Sequence, residues 1–200
     1  MELSVRPVTA DRWQELATLF GPSGAFSNCW CTWWRQTGAG FSAGIAQRGT
    51  GNRALMHELV EAGREPGLLG YHDGRPVGWI SIAPRTHYGR LLRSRALGPP
   101  RSEADDRGVW SIVCFWIPRS ERGKGVAIGL LAGAIAHAEA RGAQVIEAYP
   151  IDTAGGRTPD SNVFTGTLPM FRRAGFTEVE RRGAGHVIMR RAVAGGSAYP

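Results

Sequence analysis

Cysteine is scarce in this chain of 200 residues, and the three that occur, Cys29, Cys31 and Cys114, are an odd number. That excludes a disulfide framework and fits a reducing compartment. The Cys29-Trp30-Cys31 spacing has no second cysteine pair or paired histidines near it, so no metal is expected and the thiols read as packing groups. Long apolar runs are missing too; none approaches the roughly 20 residues of a membrane-spanning helix. Met1-Glu2-Leu3-Ser4-Val5-Arg6 has neither the basic start nor the apolar stretch of a secretion signal. The expected compartment is the cytoplasm, without a membrane partner. No dense Lys/Arg tail accounts for the formal net charge of +7, which comes from scattered arginines. Such a balance favours an anionic partner, either nucleic acid or a coenzyme with several phosphates. The arginine-rich stretch 85–108 offers only Tyr88 for stacking on bases, which disfavours nucleic acid.

The rest of the composition is ordinary for a folded protein, with 42% hydrophobic and 20% charged residues. One domain over residues 1–200 is expected, with 194–200 as a disordered tail. Strands are expected at 3–7, 67–72, 75–83, 109–117, 144–149, 177–181 and 186–191. Asp73-Gly74 supplies a tight turn between the second and third. Helices are expected at about 9–20, 52–62, 124–141 and 167–174. In the long one, Ala127, Leu130, Leu131, Ala134, Ile135 and Ala138 recur at helical spacing and form one apolar face. Residues 21–49 read as a loop rich in glycine and aromatics. The fold class is α/β (α+β), a mixed sheet of six to seven strands flanked by about four helices.

The informative segment is Phe115-Trp116-Ile117-Pro118-Arg119-Ser120-Glu121-Arg122-Gly123-Lys124-Gly125-Val126-Ala127. A buried strand ends, a glycine turn follows, and an amphipathic helix begins. Unpaired amides at such a helix start, with the helix dipole behind them, attract anions. Gly123 and Gly125 leave room for close approach, and Arg122 and Lys124 add charge. A P-loop would need GxxxxGK followed by Ser or Thr, and a dinucleotide fingerprint would need a third glycine where Ile128 stands.

Arg122-Gly123-Lys124-Gly125-Val126-Ala127 resembles the pyrophosphate loop of the GNAT superfamily of N-acetyltransferases. Phe171-Arg172-Arg173-Ala174-Gly175-Phe176 resembles an aromatic-x-x-x-Gly-Phe motif in the last helix of that family. The resemblance implies that residues 122–127 hold the coenzyme A pyrophosphate, and that the backbones of Phe115 and Ile117 pair with the pantetheine arm. Acetyl-CoA is then the co-substrate, and the partner is a small amine. The Cys-Trp-Cys-x-x-Trp cluster, Gly78-Trp79-Ile80-Ser81 and Glu147-Ala148-Tyr149-Pro150 resemble a GNAT subgroup without an assigned substrate. Two departures matter: one extra residue separates Pro118 from Arg122, and the family's frequent tyrosine acid is Phe171 here.

For the chemistry, Glu147 is the carboxylate that strand placement favours as general base. Tyr149, on the same strand face, is the candidate acid in place of Phe171. A structural ion pair with an arginine is the alternative for Glu147, and simple packing the alternative for Tyr149. Trp30 and Trp34 are candidates for an aromatic acceptor wall. The expected reaction is N-acetylation of a small neutral or zwitterionic amine, including the antibiotic and toxin classes. A catalytically inactive CoA-binding regulator and a nucleic-acid-binding module are the alternatives, and a homodimer stays open.

Overall fold

The computed structural model describes residues 3–99, 107–153, 163–182 and 185–193; the expected tail at 194–200 lies outside them. Thirteen strands and helices follow in order: β1 (Ser4–Pro7), α1 (Trp13–Phe20), α2 (Gly38–Ala46), α3 (Thr50–Glu61), β2 (Leu68–His72), β3 (Arg75–Pro84), α4 (Gly89–Leu92), β4 (Val109–Trp116), α5 (Val126–Ala140), β5 (Val145–Ala148), α6 (Leu168–Arg173), β6 (Thr177–Arg182) and β7 (His186–Ala192). The seven strands form one mixed sheet in the order β1-β2-β3-β4-β5-β7-β6. Only β4 and β5 run parallel, joined by the α5 crossover. Every expected strand and helix is present. Two helices come in addition: α2, inside the expected loop, and α4, inside the arginine-rich connection.

α5 forms because small and branched apolar residues recur at three- and four-residue spacing, and Leu130, Leu131, Ala134, Ile135 and Ala138 are all buried on the sheet. Gly133 lets the helix come close to β1, since a Cβ there would meet the Val5 Cβ at 2.5 Å. Ile80, Ile82, Ile112 and Ile146 supply the sheet's side of this layer. The opposite face carries α1 and α3, where Leu16, Phe20, Met56 and Val60 pack with Trp79. Along the same direction, Tyr88, Leu91, Val113, Tyr149 and Ile188 form a further apolar cluster.

Two irregularities position the site. Between β3 and β4, Ser81 opposes Cys114 but Ile82 opposes Ile112, so Val113 is an extra residue and β4 bulges. Between β4 and β5, pairing runs only from Val109/Val145 to Ile112/Ala148, although β4 continues to Trp116. Past that point β4 continues without β5 as a partner. In open sheets with parallel strands, ligands bind at such strand ends.

Candidate active site

β4 leads into the glycine loop. Gly123 and Gly125 have φ of +75° and +81°, and an added Cβ at either would meet nothing within 4 Å. The glycines are therefore required by backbone conformation, and the loop's outer surface is open. Gly125 caps the start of α5 and, being glycine, brings no capping side chain of its own. Within the described residues, no backbone carbonyl outside α5 accepts from the amides of residues 123–127. A dipole-backed row of free N–H groups is an anion cradle. The side chains beside it are partly engaged. Lys124 Nζ lies 3.1 Å from Glu121 Oε2, and Arg122 Nε donates to the Ile117 carbonyl at 3.1 Å. The Lys124 ammonium, acting first as hydrogen-bond donor and then as a charge, holds the Glu121 carboxyl below the usual range.

The strand groups expected to pair with a pantetheine arm have partners of their own. The Phe115 N–H donates to the Phe164 carbonyl at 2.6 Å, and the Ile117 carbonyl takes the Arg122 bond. An extended ligand along this end of β4 has to exchange these bonds for its own. Phe171, where the family often has tyrosine, is fully buried with its ring edge-on to Phe115 and Phe176. It serves the core.

Glu147 and Tyr149 share a face of β5, as alternation requires, and they meet: the Tyr149 hydroxyl donates to Glu147 Oε1 at 2.5 Å. Ser111 Oγ of β4 lies 2.9 Å from the same hydroxyl. Burial, then the neighbouring Glu147 charge, pushes the Tyr149 phenol well above its ordinary value, so it stays protonated through neutral pH. Glu147 is fully buried and is bridged by Arg85 at 3.1 Å and by Arg190 at 2.6 Å. Oε2 is shared by the two arginines and Oε1 is held by Tyr149, the arrangement that the ion-pair alternative describes. Sequence reasoning missed Arg85 and Arg190. Arg85 in particular belongs to a stretch read as polar connection, yet only 1% of it is exposed.

The two tryptophans assigned to one acceptor wall are separated. Trp30 is buried against Trp13 and Phe20, and its remaining edge lines a cavity of about 340 Å³ shared with Arg48 and Arg53. Trp34 lines a different cavity of about 420 Å³ with Trp33, Arg90 and Arg93. It also packs against the cluster that holds Tyr149. The thiols are structural. Cys31 Sγ sits 3.2 Å from Cys114 Sγ, and hydrogen bonding to Cys114, ahead of burial, pushes the Cys31 thiol up. Among the described residues, no group of three or more His, Cys, Asp or Glu side chains is placed to hold a metal ion. Among them, no helix is long and apolar enough to cross a membrane.

The profile of the Acetyltransferase (GNAT) family matches residues 30–156, more than half of the chain and all of the β4–loop–α5 unit. The chain belongs to the GNAT acetyltransferase family. Membership indicates acyl-coenzyme-A-dependent N-acetyltransferase activity. Solved GNAT-type structures share the fold at low identity. The PaiA N-acetyltransferase of Thermoplasma acidophilum, in complex with coenzyme A, is 13% identical with a TM-score of 0.53, over 96% of this chain and 99% of that one. A phosphinothricin acetyltransferase of Sinorhizobium meliloti, in complex with AcCoA, is 15% identical with a TM-score of 0.56, over 100% and 93%. A ribosomal-protein-alanine N-acetyltransferase of Brucella melitensis is 17% identical with a TM-score of 0.52, over 95% and 99%. No curated protein matches the sequence.

Proposed function

We propose that this GNAT chain is a single-domain cytoplasmic enzyme that transfers an acetyl group from acetyl-CoA to the amine of a small molecule. The observation that carries the reading is the cradle: two left-handed glycines, Gly123 and Gly125, open a row of free amides at the start of a 15-residue helix. These amides, with Arg122, suit the pyrophosphate, while the backbone of Phe115 in β4 and of Ile117 just beyond it takes the pantetheine arm once their present bonds are exchanged. Bound there, the co-substrate supplies an activated thioester carbonyl.

The chain's own residues then manage protons and position. The Tyr149 hydroxyl, whose proton points at Glu147 in the resting structure, turns to the departing sulfur and gives that proton up as the carbon–sulfur bond breaks and the carbon–nitrogen bond forms. The amine's proton leaves through water, and the phenolate is reprotonated. Glu147 is a positioning residue: locked by Arg85 and Arg190, it holds the Tyr149 hydroxyl in place. Orientation of two bound reactants supplies much of the remaining acceleration.

One observation favours a second reading, a CoA-binding regulator without catalysis. The usual acid position is the buried Phe171, and the best-placed carboxylate is tied up by arginines. Incubation of acetyl-CoA with a panel of amines, read by thiol release and product mass, separates the two. Transfer to any amine supports the enzyme; saturable coenzyme binding with no transfer supports the regulator.

A further inference from the structure

We propose that the cavity between α2 and α4 receives an oxyanion group of the acceptor, so that the acetylated amine belongs to a molecule bearing a carboxylate or phosphonate. The inference rests on the acetyltransferase reading above and names the substrate class of that site.

The cavity, about 420 Å³, is within the range of small-molecule sites. Trp33 and Trp34 line it together with Arg90 and Arg93; Thr37 and Ser94 add hydroxyls, and no acidic residue is present. The Arg90 guanidinium carbon lies 3.5 Å from the centroid of the Trp33 ring, and Trp33 is 39% exposed. A guanidinium laid flat on an indole keeps its N–H edge for a planar anion. Among the described residues, no carboxylate pairs with Arg90 or Arg93. Arg85 and Arg190, by contrast, are both committed to Glu147. Two donors of the cavity's residues, Arg90 Nη1 and Trp34 Nε1, are buried without an acceptor. Buried donors in folded proteins are nearly always paired, so these two mark polar groups beside the cavity that the protein itself leaves unsatisfied. Bidentate bonds from arginine are among the strongest available to a carboxylate or phosphonate.

The position ties the cavity to the acceptor rather than to the coenzyme. Trp34 belongs both to its wall and to the apolar cluster of Tyr149, and the Arg90 N–H donates to the Trp34 carbonyl at 3.0 Å. Val126, at the coenzyme cradle, packs in the separate core layer under α5. Two cations and no anion in the cavity also repel polyamines and basic peptide tails.

The test is equilibrium binding, read by quenching of tryptophan fluorescence with coenzyme A present. The probes are L-amino acids of varied side chain, their C-terminal amides and the corresponding aminophosphonates. Expected is saturable quenching by at least one acid, weakened ~10- to 100-fold for its amide. The same loss is expected in Arg90→Gln and a smaller one in Arg93→Gln, an exposed position whose replacement leaves the fold intact, with coenzyme A affinity unchanged in both. The acid and phosphonate arms decide which oxyanion is preferred. Amides binding as tightly as acids, wild-type acid binding by both variants, or no quenching by any acid would overturn the proposal. Because binding needs no turnover, the result stands apart from the activity reading. Thiol release with uncharged amines alone would keep that reading and sink this one.

Discussion

The glycine loop at 122–127 and the cluster around Glu147 handle charge in opposite ways. The loop exposes it: its glycines have open space where a side chain would be, and among the described residues no backbone carbonyl outside α5 accepts from its amides. The cluster consumes it: Glu147 and Arg85 are at 0% and 1% exposure, Arg190 shares Oε2 with Arg85, and Tyr149 holds Oε1. Burial thus separates the charges open to ligands from those the fold uses up. Backbone amides and the cavity arginines are available, whereas the carboxylate most attractive as a base is spent on holding a tyrosine.

Glu147→Gln tests the buried half of that contrast and carries the largest expected effect. Removing one partner of a buried ion pair leaves two arginines facing a neutral amide, which costs about 3 kcal/mol of stability. Urea unfolding measures it, and a midpoint near that of the wild type would mean that the cluster is not a structural anchor. Gly125→Asp tests the open half. A side chain at φ +81° is strained, and its charge opposes the phosphates. Coenzyme A affinity should fall about 100-fold, or ~2.7 kcal/mol, in calorimetry on a folded variant. Undiminished binding would remove the cradle from the account.

Tyr149→Phe joins the two halves. The single-turnover rate with acetyl-CoA should fall by roughly 10²-fold while coenzyme affinity stays the same. A wild-type rate would return the proton to water and leave Tyr149 as packing. Phe171→Tyr should give no rescue, because that ring is enclosed by Phe115 and Phe176. The smallest effect is a pH dependence at the edge of the arginine-rich region. Burial, then the charges of Arg64 and Arg35, lower the His87 pKa to about 4, and Arg64 lies 2.9 Å from its ring nitrogen. The unfolded value is higher, at the ordinary 6.5, so the unfolded chain binds more protons between these limits. His87's contribution is therefore complete above pH 6.5 and declines as pH falls toward 4. An NMR titration of His87 at its ordinary value would contradict this.

How much of this was legible depends on how far apart the partners lie in sequence. Strands and the α5 face were readable because their signals are local, as in the Asp73-Gly74 turn or the spacing from Leu130 to Ala138. The left-handed glycine turn before α5 was readable for the same reason, its residues being consecutive. α2 was missed because Gly38-Ala39-Gly40 reads as loop. It is held by the Thr37 side chain, which accepts from the Gly40 amide, and by Gly44, where a Cβ would clash with Asn52. Glu147 was singled out, but its partners were not, since Arg85 and Arg190 stand 62 and 43 residues away. Trp34 was found without Arg90 and Arg93, whose approach depends on α4 folding where only a polar connection was evident. Trp30 and Trp34, close in sequence, face separate cavities because the chain turns through left-handed residues at Trp30 and Cys31.

The central claim is acetyl transfer to a small amine from a coenzyme seated on residues 122–127. Its most direct test is thiol release from acetyl-CoA across an amine panel, with product mass measured on the same samples and Gly125→Asp run alongside. Expected is thiol release matched by an acetylated amine in the wild type and lost in the variant. Saturable coenzyme binding without acetylation of any amine, or equal turnover by Gly125→Asp, would contradict it.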